Sequence, residues 1–258
     1  MLARALADEL QPSLSSSQSL AEQAQQSTHY YIQEIIMAHL VEELDRLNMK
    51  MMQMVVLTEQ ALSKTVHAFS RMDADLAQEV VDNDKKINEL EVQVYDLCMR
   101  LLALEQPVAK DLRFILGCMR MSVDLERIGD ESANISDATI YLSLNPPMDF
   151  YDKILLMGQK SYNMLQEAII AFSSPDVDKA VDVCRMDFEV DELNSAVLKQ
   201  IIQHMSVQSQ SIEPCVQSIN IARRFERVAD MATNIAETTM FIVKGTSLKH
   251  TCQFDDRV

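Results

Sequence analysis

The chain has 258 residues, 48% of them hydrophobic, with only 4 Gly, 6 Pro and no Trp. That length holds one large domain or two ordinary ones around a sizeable core, and the composition favours helices over hairpin-rich sheets. Asp and Glu number 39 against 23 Lys and Arg, a formal charge of −16, which disfavours nucleic acid, anionic lipid surfaces and direct capture of a bare anion.

Residues 1–28 are Ser/Gln-rich and read as a poorly ordered tail. They meet acids early and hold no sustained apolar run, so no signal peptide is expected. No stretch of roughly 18 residues is apolar throughout, so no membrane insertion is expected either. A first helix is predicted over 32–71, Met-rich between Met49 and Met54. That run reads as core filler before docking surface, although Met-rich surfaces do suit several partners. Asp73 to Asp75 punctuate the chain, and a second helix runs to about Leu104. Pro107 falls at the first turn of a third helix, which ends before "NPP" at 145–147. A fourth helix covers 149–172. "SSPD" (173–176) supplies an N-cap and a first-turn Pro for a fifth, which ends near Met205. A sixth runs from 211 to Lys244, with Gly245 as its stop.

Short loops between long amphipathic helices make antiparallel neighbours. The fold class is therefore all-α: two tandem three-helix bundles, six long antiparallel helices in all, related by an internal repeat. The bundles span 29–145 and 146–245, and a polar tail follows at 246–258. Helices two and five align at an offset of 103, helices three and six at 100. The five cysteines, Cys98, Cys118, Cys184, Cys215 and Cys252, include no CxxC. They indicate neither a zinc knot nor a disulfide framework, and a reducing cytosol fits them best.

The repeat is plainest in "LERIGDESANI" (125–135) and "FERVADMATNI" (225–235). With Glu126 at zero on a helical wheel, Asp130 lies at about 40° and Asp137 at about 20°. Ile115, Met119, Leu112 and Val123 share that face, which puts the acids in the apolar stripe. Glu226, Asp230 and Glu237 repeat the arrangement. Asp84 and Asn88 on the second helix, and Asp187 and Asp191 on the fifth, occupy equivalent stripes. Where the first copy has Asn88 and Glu91, the second has Asp191 and Asn194. Each copy therefore keeps five carboxylates: Asp84, Glu91, Glu126, Asp130 and Asp137, then Asp187, Asp191, Glu226, Asp230 and Glu237.

Buried carboxylates are costly unless arginines, shared protons or a cation offset them. Arg127 and Arg227 sit about 100° off the stripe and can only flank it. Hard cations prefer oxygen ligands, and ExxxD presents two on one face. A lone ExxxD more often belongs to a solvated salt-bridge lattice. Its repetition at equivalent positions raises the metal reading, with a groove-edge metal or docking patch as the solvent-open variant. A carboxylate di-iron enzyme needs Glu-x-x-His on two helices, and no His here has Glu three residues before it. No Ser-His-Asp set, nucleophilic Cys or Gly-rich phosphate loop is visible.

Together with "DNDKKINELE" (82–91), "EQPVAKDLR" (105–113) and the closing "FIVKG" (241–245), these strings resemble the PhoU family of phosphate-signalling regulators over residues 37–245. The resemblance implies a cytoplasmic, homodimeric, non-enzymatic regulator. It implies as partners the ATPase subunit of the phosphate-specific transporter and a phosphate sensor histidine kinase, with damping of the phosphate-starvation response. It also implies multinuclear iron, zinc or another divalent metal at the E(D)xxxD clusters. Carried over by position, the family's acids match Asp84, Glu126, Asp130, Asp187, Asp191, Glu226 and Asp230, while Asn88 departs from the pattern and Glu91 stands one turn beyond it. Two further readings stand beside this one: a metal-dependent helical hydrolase or oxidase, and a purely structural helical scaffold.

Overall fold

The computed structural model describes residues 2–207 and 212–245, with side chains from residue 37 onward; the tail at 246–258 lies outside the described residues. The described residues form seven helices and no strand: α1 (Leu2–Arg71), α2 (Ala74–Asn83), α3 (Lys85–Leu104), α4 (Ala109–Ser143), α5 (Tyr151–Ser173), α6 (Val177–Val207) and α7 (Ile212–Lys244). The chain divides into two compact units. Residues 1–45 hold only the N-terminal stretch of α1, and residues 46–258 hold the bundles.

Three boundaries differ from the sequence reading. The first helix begins at Leu2, so 2–28 is helical where a tail was expected over 1–28. The stretch is rich in Ala, Leu, Gln and Glu, whose helix propensity outweighs its serines. The second expected helix is two segments that meet at Asp84. Asp84 keeps helical dihedrals (φ −54, ψ −40), and its carbonyl accepts from both Ile87 N at 2.9 Å and Asn88 N at 3.4 Å. The axis thus tightens for one turn at the first acid of the repeat. Pro107 precedes α4 rather than entering it. Gln106 (φ 46) and Ala109 (φ 46) both adopt left-handed backbone around it, and α4 starts at Ala109 itself. The predicted stop at Gly245 is observed, with φ 74 and its N–H donating to Phe241 O at 2.9 Å.

In the first bundle α2 and α3 pack on α4; in the second α5, α6 and α7 pack on one another; α4 and α7 form the seam between them. Two polar devices recur at the offsets expected for the repeat. Asp73 caps α2 by accepting from Leu76 N at 3.0 Å, and Asp176 does the same for Lys179 N at 3.1 Å. Thr58 Oγ1 donates from α1 to Leu125 O at 3.3 Å, and Ser161 Oγ donates from α5 to Phe225 O at 2.7 Å. The capping and hydroxyl positions differ by 103 (176 − 73, 161 − 58), and the acceptors by 100 (225 − 125).

The core is mainly aliphatic, with aromatic contacts where Phe69 of α1 meets Tyr151 of α5 at 5.7 Å and Phe225 of α7 at 6.4 Å, and where Phe114 of α4 stacks on Phe172 of α5 at 6.4 Å, between ring centroids. The methionine run divides by helical phase: Met51 and Met54 are fully buried, whereas Met49 is 61% exposed. Cys98, Cys118 and Cys215 are free and buried, as small hydrophobes. Cys184, expected to be a free thiol, is disulfide-bonded. No helix among the described residues is long and apolar enough to cross a membrane.

Phe225 is fully buried, and a Cβ on Gly158 stands 2.7 Å from its Cζ. Gly158→Ala is therefore expected to overpack the α5–α7 contact, at a cost of about 1–3 kcal/mol. Thermal unfolding should register a fall of roughly 2–4 °C for each kcal/mol. An unchanged midpoint means that the Phe225 ring has room to retreat.

Candidate functional site

The predicted acids are brought together as two separate groups. In the first, α2, α3 and α4 meet at Asp84, Asn88, Glu91, Glu126 and Asp130. Burial raises the pKa of Asp84, and Asp130 raises it further, against a hydrogen bond from Asn88. Burial likewise raises Glu126, helped by Asp130, Glu91 and Asp84 and opposed by Arg127. In the second group α6 and α7 meet at Asp187, Asp191, Glu226 and Asp230. Burial, then Asp230, Asp191 and Glu226, push Asp187 up to about 7. Burial, Asp230 and Asp191 raise Glu226 against Arg227 and Arg223. Burial and Asp191 raise Asp230 against Arg227.

Asp137 and Glu237 do not join. Asp137 is exposed, and neither residue contributes to the shifts of the other acids. Nor do the acids lie within the apolar stripe. Asp84, Glu91, Glu126, Asp187 and Glu226 are half-buried, while Asp130, Asp191 and Asp230 are exposed. The reason is geometric. α4 is covered by α2, α3 and α7 and is bonded by α1, so burial extends around most of its circumference. Its one wet sector carries Arg120, Arg127, Asp130 and Asn134, and Glu126 stands at the margin. A single-stripe wheel misplaces that sector by a fraction of a turn.

Gly129 sets the approach of α2 and α3 to α4. A Cβ there stands 2.9 Å from Ile87 Cδ1 and 3.3 Å from Asp84 Oδ1. Asn88 Nδ2 donates to Asp84 Oδ2 at 3.1 Å. The other oxygen of Asp84, Oδ1, and the amide oxygen of Asn88, Oδ1, are buried with no hydrogen-bond partner; Asp187 Oδ1 and Asn194 Oδ1 share that condition in the second half. Leaving an acceptor buried and unpaired costs about 1–3 kcal/mol. Carboxylate and carboxamide oxygens are hard donors, so the donor chemistry fits a hard cation. Among the described residues no three His, Cys, Asp or Glu close to ligating geometry.

Three features were not read from the sequence. Asn194 was noted only as a gap in the acidic pattern. Asp124 is buried on α4, where burial pushes it up to about 6 against Asn234, Arg127 and Arg120. Glu131 of α4 receives both Arg224 and Arg227 of α7, the latter at 3.1 Å. Glu131 directly follows Asp130 of the motif, but its partners belong to the other repeat and only the packing reveals them. It lines a cleft of about 540 Å³ along the α4–α7 seam, with Asp130 and Asp230 on the same walls.

Two segments, 51–139 and 154–239, match the model of the PhoU domain. The chain is 31% identical over 208 residues to the phosphate-specific transport system accessory protein PhoU of Escherichia coli (strain K12), covering 81% of this chain and 86% of that protein. It is 33% identical over 209 residues to the Pseudomonas aeruginosa homolog, with the same two coverages, 81% and 86%. The crystal structure of PhoU from Pseudomonas aeruginosa superposes with a TM-score of 0.77 at 33% identity, covering 80% of this chain and 99% of that one. The phosphate transport system regulatory protein PhoU from Streptococcus pneumoniae gives 0.74 at 31% identity, over 81% and 98%.

The Asp187 shift fixes a sign. In metal-stripped protein its folded pKa, about 7, lies above the ordinary 3.8. Between those values the folded state holds the extra proton, so this contribution to stability is full at low pH and is lost as pH rises through about 7. Chelator-treated protein should therefore melt at a higher temperature at pH 5 than at pH 8, and Asp187→Asn should flatten the difference. A parental profile in the variant contradicts the assignment.

Proposed function

Because the chain belongs to the PhoU family, we propose that it is an accessory regulator of phosphate transport. It contacts the ATPase subunit of the phosphate-specific transporter and a phosphate sensor histidine kinase, and it restrains the phosphate-starvation response when phosphate is plentiful. It acts as a cytoplasmic homodimer, without catalysis of its own. The observation that carries this reading is the doubled acidic group: the same half-buried carboxylates recur at repeat-equivalent places, with buried oxygens that no protein donor satisfies.

Asp84, Asn88, Glu91, Glu126 and Asp130 frame one cation centre, and Asp187, Asp191, Glu226 and Asp230 the other. Iron, zinc or another divalent ion, when bound, supplies the positive charge that these groups lack. The chain's own residues do the rest. Asp84 and Asp187 present buried oxygens from one helix. Glu126 and Glu226 approach from the next, and Arg127 and Arg227 limit the charge at the solvent margin. A filled centre ties α2 and α3 to α4, or α6 to α7, and so stiffens the faces that partners meet.

The partner reading draws support from an apolar groove of about 630 Å³ between α1 and α3, lined by Met49, Met52, Val56, Leu57 and Leu90 among others. Flexible thioethers adapt to more than one surface. The formal charge of −16 steers encounters with basic partner surfaces.

Three measurements test the proposal. Titration calorimetry with a divalent metal should show the second centre lost in the Asp187→Ala/Glu226→Ala double variant; equal binding in variant and parent removes the cation assignment. Deleting the gene should switch on phosphate-uptake and phosphatase genes in high phosphate. Association with the kinase and the ATPase subunit should also slow as salt rises. Normal repression in the deletion strain, with no binding to either partner, overturns the regulatory reading.

A further inference from the structure

The methionine run of α1 opens outward on one side, and cations stand at both ends of the opening. The apolar groove lined by Met49, Met52, Val56, Leu57 and Leu90 is the middle of three depressions. Val56 is 46% exposed, so with Met49 it leaves the apolar floor open to water. Leu57 also lines the next depression, of about 230 Å³, where α1 faces α2 and α3 beside Lys64, Glu79 and Lys86. The third, of about 270 Å³, lies between Arg46 and Lys50 of α1 and Gln93, Asp96 and Arg100 of α3. Lys50 and Gln93 each stand one turn along their helices from Gln53 and Leu90 of the apolar groove. Lys50 Nζ donates to Gln93 Oε1 at 2.7 Å, and Lys64 Nζ meets Glu79 Oε1 at 2.6 Å, which ties the two walls together. From Arg46 to Lys64 the furrow runs about 27 Å along α1, the length of a helix of about five turns.

The charge around this furrow runs against that of the chain. Five cations, Arg46, Lys50, Lys64, Lys86 and Arg100, line the two end depressions beside two acids, Glu79 and Asp96, in a chain of formal charge −16. The second half lacks the feature. At the offset of 103, Asp149, Lys153, Glu167, Glu189 and Gln203 stand where the five cations stand, and Asp152 and Gln159 replace Met49 and Val56. An exposed apolar floor with a charged rim suits an incoming amphipathic helix, which lays anchors at i, i+3, i+4 and i+7 along it. The rim then selects the occupant by charge. The overall charge disfavours acidic partners at long range, so an acidic segment gains attraction only where cations are gathered locally. An ammonium carries three donors, so Lys50 and Lys64 retain donors beyond those given to Gln93 and Glu79.

Building on the partner reading above, we propose that the furrow of the first half is the docking site for an amphipathic helix of a partner protein, with leucine- or methionine-like residues on its apolar face and carboxylates near both ends. The apolar face settles on Met49, Met52, Val56 and Leu90, where the thioethers adapt to its shape. The carboxylates meet Arg46, Lys50 and Arg100 at one end and Lys64 and Lys86 at the other. The second half presents Asp149, Glu167 and Glu189 at equivalent places and repels such a helix, so each chain takes one.

The probe is a fluorescein-labelled synthetic helix of about 18 residues, with leucines at i, i+3, i+4 and i+7 and paired glutamates at each end, read by anisotropy against the full chain. Its twin carries lysines in place of the glutamates. The glutamate helix should bind about tenfold tighter than the lysine twin, or more. Arg46→Glu/Lys50→Glu/Arg100→Glu should erase or reverse that preference, and Met52→Glu should abolish binding of both helices. The same charge change at exposed sites of the second half, Lys153→Glu/Arg185→Glu/Lys199→Glu, should leave the preference in place. Should Met52→Glu not fold, by helical dichroism, Met49→Glu serves for the same comparison. Equal binding of the two helices, or binding of neither, overturns the proposal. So does an oligomer of the parent, by sedimentation velocity, that the Arg46/Lys50/Arg100 variant loses, because the occupant is then a second copy. The kinase and the ATPase subunit separate this inference from the reading it rests on. Weaker association of either one with that variant than with the parent supports the proposal. If whichever binds the parent binds the variant equally well, the furrow is not the site and the proposal falls alone. If neither binds the parent, the partner reading falls and takes the proposal with it.

Discussion

Everything else in the molecule depends on the encasement of two helices. α4 and α7 touch each other, and each also carries its own bundle: α2 and α3 on α4, α5 and α6 on α7. Helices close on many sides need small side chains, and the buried residues of the pair include Gly117, Gly129, Ser122, Ser132, Ala222, Ala229, Ala232 and Ala236. One narrow sector of each is left to water. The acids sit along its edges, where one side of each carboxylate is desolvated and the other is wet. The raised pKa values of Glu126, Glu226 and Asp230 follow from that position. The charged groups are therefore a standing cost to the fold, offset by protons at low pH.

Much of this architecture is legible in the sequence, because long amphipathic helices with short connections leave few alternatives. The caps at Asp73 and Asp176 and the stop at Gly245 follow from local chemistry that needs no tertiary knowledge. The start of α1 does not, since helix-forming residues without an apolar stripe read as a tail. The break at Asp84 is equally silent: nothing in "DNDKK" marks a tightened turn. The disulfide at Cys184 depends on proximity and not on spacing.

The acidic groups show a finer division. Periodicity put Glu126 near Asp130 and Glu226 near Asp230, and the duplicated phrase singled them out from ordinary surface acids. What periodicity cannot give is the degree of exposure, which is set by how many neighbours a helix has. It took α4 for a helix with one buried face. Asn194 passed as a missing carboxylate because its significance rests on an oxygen without a donor, a property of packing. Asp124 and Glu131 escaped notice for a similar reason, their partners lying about a hundred residues away on the other repeat.

That last pairing says something about ancestry and self-recognition. Glu131 of the first half meets Arg224 and Arg227 of the second. At the offset of 100, the counterpart of Glu131 is Met231, and the counterpart of Arg224 is Asp124. Two copies of the first half, docked as the halves dock now, bring Glu131 against Asp124, acid on acid, with Arg127 in the place of Arg227. Two copies of the second half leave Arg224 facing Met231, a guanidinium with no anion. An isologous pairing of the second half has thus lost this electrostatic complement, and one of the first half keeps only the Arg127 part of it. The duplicated seam therefore carries both of its arginine contacts only where one half of each kind meets the other.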